Sequence, residues 1–119
     1  MMSENALAFV IEDDEDLDVI FGESLRAAGF NPEAIQDGLV AIDRLKNEKP
    51  RVVVLDLHLP HVNGLEILAQ IRANPNLADT KVIMVTADPR MAETAEAADF
   101  VLIKPISFTM LRELCARLR

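Results

Sequence analysis

Five side chains that can do chemistry together each stand at or just beyond the end of an apolar run. Glu12 and Asp13 follow LAFVI, Asp56 follows VVVL, Thr86 follows VIMV, and Lys104 follows FVLI. A carboxylate beside a hard divalent cation, with an ammonium and a hydroxyl in reach, can attack phosphorus and form an aspartyl phosphate. The metal and the lysine neutralise charge on the transferring phosphoryl oxygens, where electrostatic stabilisation does most of the work. Mg²⁺, or Mn²⁺ in its place, suits hard oxygen ligands, so two carboxylates and a backbone carbonyl suffice from the protein. Asp56 is therefore the candidate nucleophile, Glu12 and Asp13 the candidate metal ligands, Lys104 the candidate counter-charge for the phosphoryl oxygens, and the Thr86 hydroxyl a candidate hydrogen-bond donor to them.

The acids need a cation for a second reason. Six of them fall between Glu12 and Asp18 with no base among them, and that crowding costs Coulomb energy unless something offsets it. Glu12 and Asp13 end a strand and read as metal ligands. Asp14, Glu15, Asp16 and Asp18 open a helix and read as solvated caps or partners of its dipole.

Delivering these residues to one place requires a particular fold. The runs are short, rich in Val, Ile and Leu, and do not alternate with polar residues, as expected of strands buried on both faces of a parallel sheet. Segments with helical spacing lie between them, so the chain alternates strand and helix through right-handed crossovers. Leu17, Ile20, Phe21, Leu25 and Ala28 form the inward stripe of a first helix that Gly29 ends. A short edge strand is expected within Pro32 to Gln36, then a helix over Leu39 to Lys46 with Ile42 and Leu45 inward. Asn63 and Glu66 have the spacing of a capping box opening a third helix, with Leu65, Leu68 and Ile71 facing the sheet. Asp88–Pro89 starts a fourth helix with a weak stripe of Met91, Ala95 and Ala98. Ser107 caps a fifth, on which Leu111, Leu114, Cys115 and Leu118 form the inward face.

Five strands and five helices predict an α/β fold: a three-layer α/β/α sandwich around a parallel sheet of order 2-1-3-4-5, the flavodoxin-like arrangement. In such sheets ligands bind beyond the carboxyl ends of the strands at the switch point, here between strands one and three. That order sets Glu12 and Asp13 opposite Asp56.

Composition narrows the functional classes. The 119 residues are expected to form one domain, 1–119, with no separate output module. The formal charge is −8, and the 12 Lys and Arg are scattered rather than clustered. Direct nucleic-acid binding is not expected, because it needs grouped cations to displace counterions. The lone cysteine, Cys115, excludes an internal disulfide and reads as a small apolar residue of a helix core. The N-terminus, MMSENALAFVI, lacks the basic and long apolar segments of a secretory signal, and no run reaches the roughly 20 apolar residues that cross a bilayer. A soluble cytoplasmic protein with no membrane partner is expected, as a monomer or weak dimer.

The segments AFVIEDDED, VVVLDLHLPHVNGLEIL, VIMVTAD and FVLIKPIS resemble the CheY-like receiver domain of bacterial two-component response regulators, and the resemblance spans essentially the whole chain. It implies that Asp56 is the phosphoacceptor, that Glu12 and Asp13 are the acidic metal pair, and that the backbone carbonyl of His58 is the third protein ligand. It further implies that Thr86 is the switch hydroxyl, Ala87 the small residue beside the phosphate, and Lys104 the lysine preceding a cis Pro105. The implied protein is a phosphoacceptor that catalyses its own phosphorylation and dephosphorylation rather than an enzyme of turnover. The implied partners are a histidine kinase or phosphotransfer protein and a downstream effector reached through altered protein contacts.

Two departures stand out. The family places Tyr or Phe three residues before the lysine, where this chain has Val101; its aromatic is Phe100, and alternation sends neighbouring strand residues to opposite faces. Thr86 and Lys104 are 18 positions apart (104 minus 86), about one helical turn less than the family's interval, so the fourth helix should be truncated or irregular. These departures motivate a competing reading, a phosphorylation-independent scaffold of receiver shape. A third reading, a small phosphohydrolase working through an aspartyl phosphate, would want a second aspartate where His58 stands. His58 and Asp88, each two residues beyond a site residue, are candidates for setting the lifetime of the acyl phosphate. His61 reads as a solvated loop residue.

Overall fold

Parallel strands do occupy the apolar runs. In the computed structural model, which describes residues 5–119, they are β1 (Ala6–Ile11), β2 (Phe30–Ile35), β3 (Val52–Asp56), β4 (Lys81–Thr86) and β5 (Phe100–Ile103). They pair in the order β2-β1-β3-β4-β5, every neighbour parallel. The α-helices are α1 (Glu15–Ala27), α2 (Gly38–Leu45), α3 (Gly64–Ala73) and α4 (Phe108–Ala116), the last being the expected fifth helix. The first four residues of the N-terminal segment, read above as lacking a secretory signal, lie outside the described residues.

Strand alternation sorts the core into two halves. Phe9 and Ile11 of β1, Val53 and Leu55 of β3, and Val82 and Met84 of β4 pack with α2 and α3. Ala8, Val10, Val52, Val54, Ile83 and Val85 pack with α1 and α4. Side chains of period two on a sheet covered on both faces give this division directly, and the result is the three-layer sandwich.

Local signals start the helices. Asp14 caps α1 by accepting hydrogen bonds from the Asp16 and Leu17 amides, Asn63 caps α3 through the Glu66 amide, and Ser107 caps α4 through the Met110 amide. Gly29 follows α1 at φ 98°, a conformation open to glycine. Cys115 is buried in α4, where loss of hydration pushes its thiol up to about 12.

Three expectations need correction. The edge strand β2 is as long as β1 and begins at Phe30, two residues before the predicted window; Pro32 does not interrupt it because its far side has no neighbour to donate to. On α1, Ile20 is exposed and Ser24 is buried, its hydroxyl donating to the Ile20 and Phe108 carbonyls at 2.9 and 3.2 Å where α1 meets α4. Asp18 is not a solvated dipole partner: it is 8% exposed, against β2. The fourth helix does start at Asp88–Pro89 and is irregular, as the spacing predicts: it is a 3₁₀ helix, Pro89–Ala95. Its small stripe buries only Ala95 fully.

One side chain secures the chain beyond that 3₁₀ helix. Arg72, in the last turn of α3, donates to the Ala97 carbonyl at 2.8 Å, the Thr80 carbonyl at 3.0 Å and Asp99 Oδ2 at 2.7 Å. Asp99 Oδ2 in turn accepts from the Val82 amide at 2.7 Å, fixing the entry to β5 beside β4.

Candidate functional site at the strand ends

The sheet order carries the predicted residues to one edge. Glu12 leaves β1, Asp56 ends β3, Thr86 ends β4, and Lys104 leaves β5. The Glu12 amide donates to the Ile35 carbonyl at 3.1 Å and the Lys104 amide to the Thr86 carbonyl at 2.8 Å, so both residues extend the ladder by one bond before the chain turns away. Lys104–Pro105 is a cis peptide, as the sequence suggested.

Side-chain geometry then joins the ends. Lys104 Nζ lies 3.1 Å from Glu12 Oε1 and 3.4 Å from Asp56 Oδ2. Glu12 and Asp56 are 1% and 4% exposed, while Asp13 is open to solvent. One carboxylate oxygen from each of Glu12, Asp13 and Asp56 lies within 4.8 Å of the others. That donor set, three carboxylates converging from two strand ends, fits a hard divalent cation.

The electrostatics record the crowding. Burial, reinforced by the neighbouring Asp56 carboxylate and opposed by Lys104, raises Glu12 to about 7. For Lys104, burial pulls the ammonium down, but the bonds and charges of Glu12 and Asp56 together outweigh it and hold the group above its ordinary value. One ammonium thus serves two carboxylates, and a second cation would relieve what it leaves uncompensated.

The backbone orients Asp56. The His58 amide donates to Asp56 Oδ1 at 3.1 Å, leaving Oδ2 toward Lys104. The chain then folds back: Val62 bonds the Pro60 carbonyl across His61, whose φ is 68°, and the Gly64 amide bonds the Leu57 carbonyl at 2.8 Å. Gly64 is required here, since a Cβ would stand 2.4 Å from the Asp56 carbonyl oxygen and 2.8 Å from Leu57 Cα. Sequence reasoning did not single out Gly64; its signal was a glycine at the first position of a capped helix. His61 is exposed, with Nδ1 3.9 Å from Asp37 Oδ1.

Thr86 is fully buried, and its Oγ1 accepts the Asp88 amide at 3.1 Å, which leaves the hydroxyl hydrogen free to donate. Ala87, next in the chain, is exposed. The Asp88 carboxylate is turned to Arg90, 3.0 Å away; the bonds from the Arg90 side chain and amide hold it below the usual carboxylate range. Val101 packs in the core half that contains Met84, whereas Phe100 is 36% exposed. By alternation Phe100 shares the face of Leu102, so it does not take the place of the missing aromatic.

Comparison with known proteins agrees with this geometry. The model of the response regulator receiver domain family matches residues 8–116. Response regulator MprA of Mycobacterium sp. (strain KMS) is 35% identical over 114 residues, covering 92% of this chain and 47% of that protein. The phosphate regulon transcriptional regulatory protein PhoB of Rhizobium meliloti (strain 1021) is also 35% identical over 114 residues, covering 92% and 49%. The chain spans about half the length of the curated relatives it matches. Among solved structures, the CheY-like receiver domain from Methylobacillus flagellatus superposes with a TM-score of 0.85 at 27% identity, covering 97% of this chain and 99% of that one. Sheet order, strand-end chemistry and sequence relatives agree, and the chain belongs to the response regulator receiver domain family.

Proposed function

We propose that the chain accepts one phosphoryl group on Asp56 from a histidine kinase or phosphotransfer protein and signals to an effector by altered protein contacts. The observation that carries the reading is the placement of one partly buried ammonium, Lys104, against both Glu12 and Asp56 at the carboxyl edge of the sheet. Asp56 carries the nucleophilic oxygen; its carboxylate is steered by the His58 amide and by Lys104. Attack forms an O–P bond as the bond from phosphorus to the donor breaks, and the donor leaves with that electron pair. Lys104 balances charge on the phosphoryl oxygens, and the Thr86 hydroxyl donates to one of them beside Ala87. Glu12, Asp13, Asp56 and the His58 carbonyl would hold Mg²⁺ or Mn²⁺, which when bound supplies further positive charge for the transferring group.

A donor protein also needs a surface beside this site. Ile20 of α1 and Phe108 of α4 are exposed, and Ser24 joins their backbones; Val19 and Met110 extend the apolar area. Among the described residues, no helix is long and apolar enough to cross a membrane. The acidic charge with scattered bases disfavours direct contact with nucleic acid by this region.

Incubation with acetyl phosphate and Mg²⁺ is expected to add the mass of one phosphoryl group, and Asp56→Asn to remain unmodified. Absence of an adduct, or an adduct that survives the substitution, overturns the reading. The scaffold reading keeps one specific motive, the pairing of Val101 with a 3₁₀ helix on the face that would transmit the signal. Partner binding indifferent to Asp56→Asn would favour it.

A further inference from the structure

A groove of about 200 Å³ runs between α1 and the edge strand β2, away from the Lys104 cluster. Asp18, Val19 and Gly22 line it from α1, and Pro32 and Ala34 from β2. Asp18 is more than nine-tenths buried, yet its Oδ1 has no hydrogen-bond partner and its Oδ2 has only the Gln36 amide at 3.5 Å. Among the described residues no cation lies within salt-bridge distance of it. The one base on the groove, Arg26, is exposed and turned to Glu23 at 3.5 Å.

A buried carboxylate left without a counter-charge is costly, because the desolvation is not offset. Burial accordingly raises the affinity of Asp18 for its proton, and Glu15 adds to the effect against the Gln36 bond. Gly22 makes the second observation. Glycine is the least favourable residue, proline apart, for a helix interior, and a Cβ here would meet nothing within 4 Å. No packing contact requires glycine, and its effect is to leave the slot beside Asp18 open. The opposite wall is equally low, because Pro32 and Ala34 are short and β2 has no outer neighbour.

We propose that this groove is a docking slot for a basic side chain, arginine or lysine, of a protein partner that lies along α1. The charged head would meet Asp18, and the aliphatic stem would cover Val19, Pro32 and Ala34, as such stems do on apolar surface. The six acids from Glu12 to Asp18 and the −8 formal charge favour a basic partner over an acidic one. The slot is independent of phosphorylation at Asp56, so failure of either reading leaves the other standing.

The test is a ¹H–¹⁵N NMR titration of the full chain with agmatine, a guanidinium on a four-carbon stem, in excess Mg²⁺ so that Glu12, Asp13 and Asp56 do not compete. Saturable shifts centred on Asp18, Gly22 and Ala34 are expected, with affinity at least fivefold weaker in Asp18→Asn and lost in Gly22→Leu, which fills the slot with a good helix former. The blocked tripeptide Ac-Leu-Arg-Leu-NH₂ should bind at least as tightly as agmatine, and 1-pentanol should not bind. Absence of saturable shifts, indifference to both substitutions, or shifts confined to the Glu12–Asp13 region overturn the slot. Binding of agmatine with exclusion of the peptide overturns the protein partner.

Discussion

Glu12 and Lys104, 92 positions apart in the chain, meet with Oε1 3.1 Å from Nζ, and the same ammonium reaches Asp56 Oδ2 at 3.4 Å. The contact closes the site across four neighbouring strands, from β1 through β3 and past β4 to β5. Its removal should therefore be felt by both carboxylates.

Lys104→Ala is expected to lower stability near neutral pH when Mg²⁺ is absent. Breaking a buried ion pair costs about 3–5 kcal/mol, and because a fifth of the Lys104 side chain is exposed the loss should fall at or below the low end of that range. Urea denaturation with and without Mg²⁺ checks it. The metal should recover part of the loss, and an unchanged midpoint in its absence would show that the ammonium does not compensate the pair.

A pH dependence follows from Glu12. Its folded value, about 7, lies above the ordinary 4.5, so the folded state binds the proton more tightly. The stability it contributes is fully present below about 4.5 and is lost as pH rises through about 7. Metal-free denaturation across that window should show the decline, and Glu12→Gln should flatten it while leaving the Asp18 contribution in place. Because a ligand carboxylate must be ionised, Mg²⁺ affinity should climb over the same interval. Affinity independent of pH between 5 and 8 would count against Glu12 as a ligand.

Gly64→Ala tests the close approach of α3 to β3. A methyl placed 2.4 Å from the Asp56 carbonyl must displace backbone, at a cost of about 1–3 kcal/mol by analogy with overpacked cores. Thermal melting should register the loss. Phosphorylation by acetyl phosphate should slow as well, since the displaced atoms belong to the nucleophile's own peptide.

His58 and Asp88 flank the site by way of their backbones: one amide holds Asp56 Oδ1, the other Thr86 Oγ1. Their backbones are therefore held on either side of the acceptor. Decay of the acyl phosphate should change more than twofold in His58→Ala or in Asp88→Ala, measured by loss of the phosphorylated mass over time. Rates within twofold of the parent for both would end the idea.

What could be read from the sequence was whatever depends on local pattern. Apolar runs named four strands, and polar residues at their ends named Glu12, Asp13, Asp56, Thr86 and Lys104. Asp14, Asn63, Asp88 and Ser107 marked helix starts because a cap needs only its own next turn. The misreadings concern residues whose setting is made elsewhere in the chain. Asp18 was grouped with its acidic neighbours, yet β2 and Gln36 enclose it. Ile20 fitted the helical stripe, but α4 meets α1 at Ser24 and leaves Ile20 outside. Spacing alone predicted the irregular fourth helix; its 3₁₀ form depends on how little apolar surface Met91, Ala95 and Ala98 offer the core.

The Arg72 contacts give β5 an unusual mechanical position. Helix α3 begins with Gly64 against the Asp56 carbonyl and, about 12 Å farther on at 1.5 Å per residue, has Arg72 in its last turn gripping Ala97 and Asp99 just before β5. The other end of the strand is held by Lys104 reaching back to Asp56. This four-residue edge strand is thus strung like a bowstring, with both anchors leading to a single aspartate. Both ends of β5 are therefore tied to groups that touch Asp56, a link that does not pass through Val101.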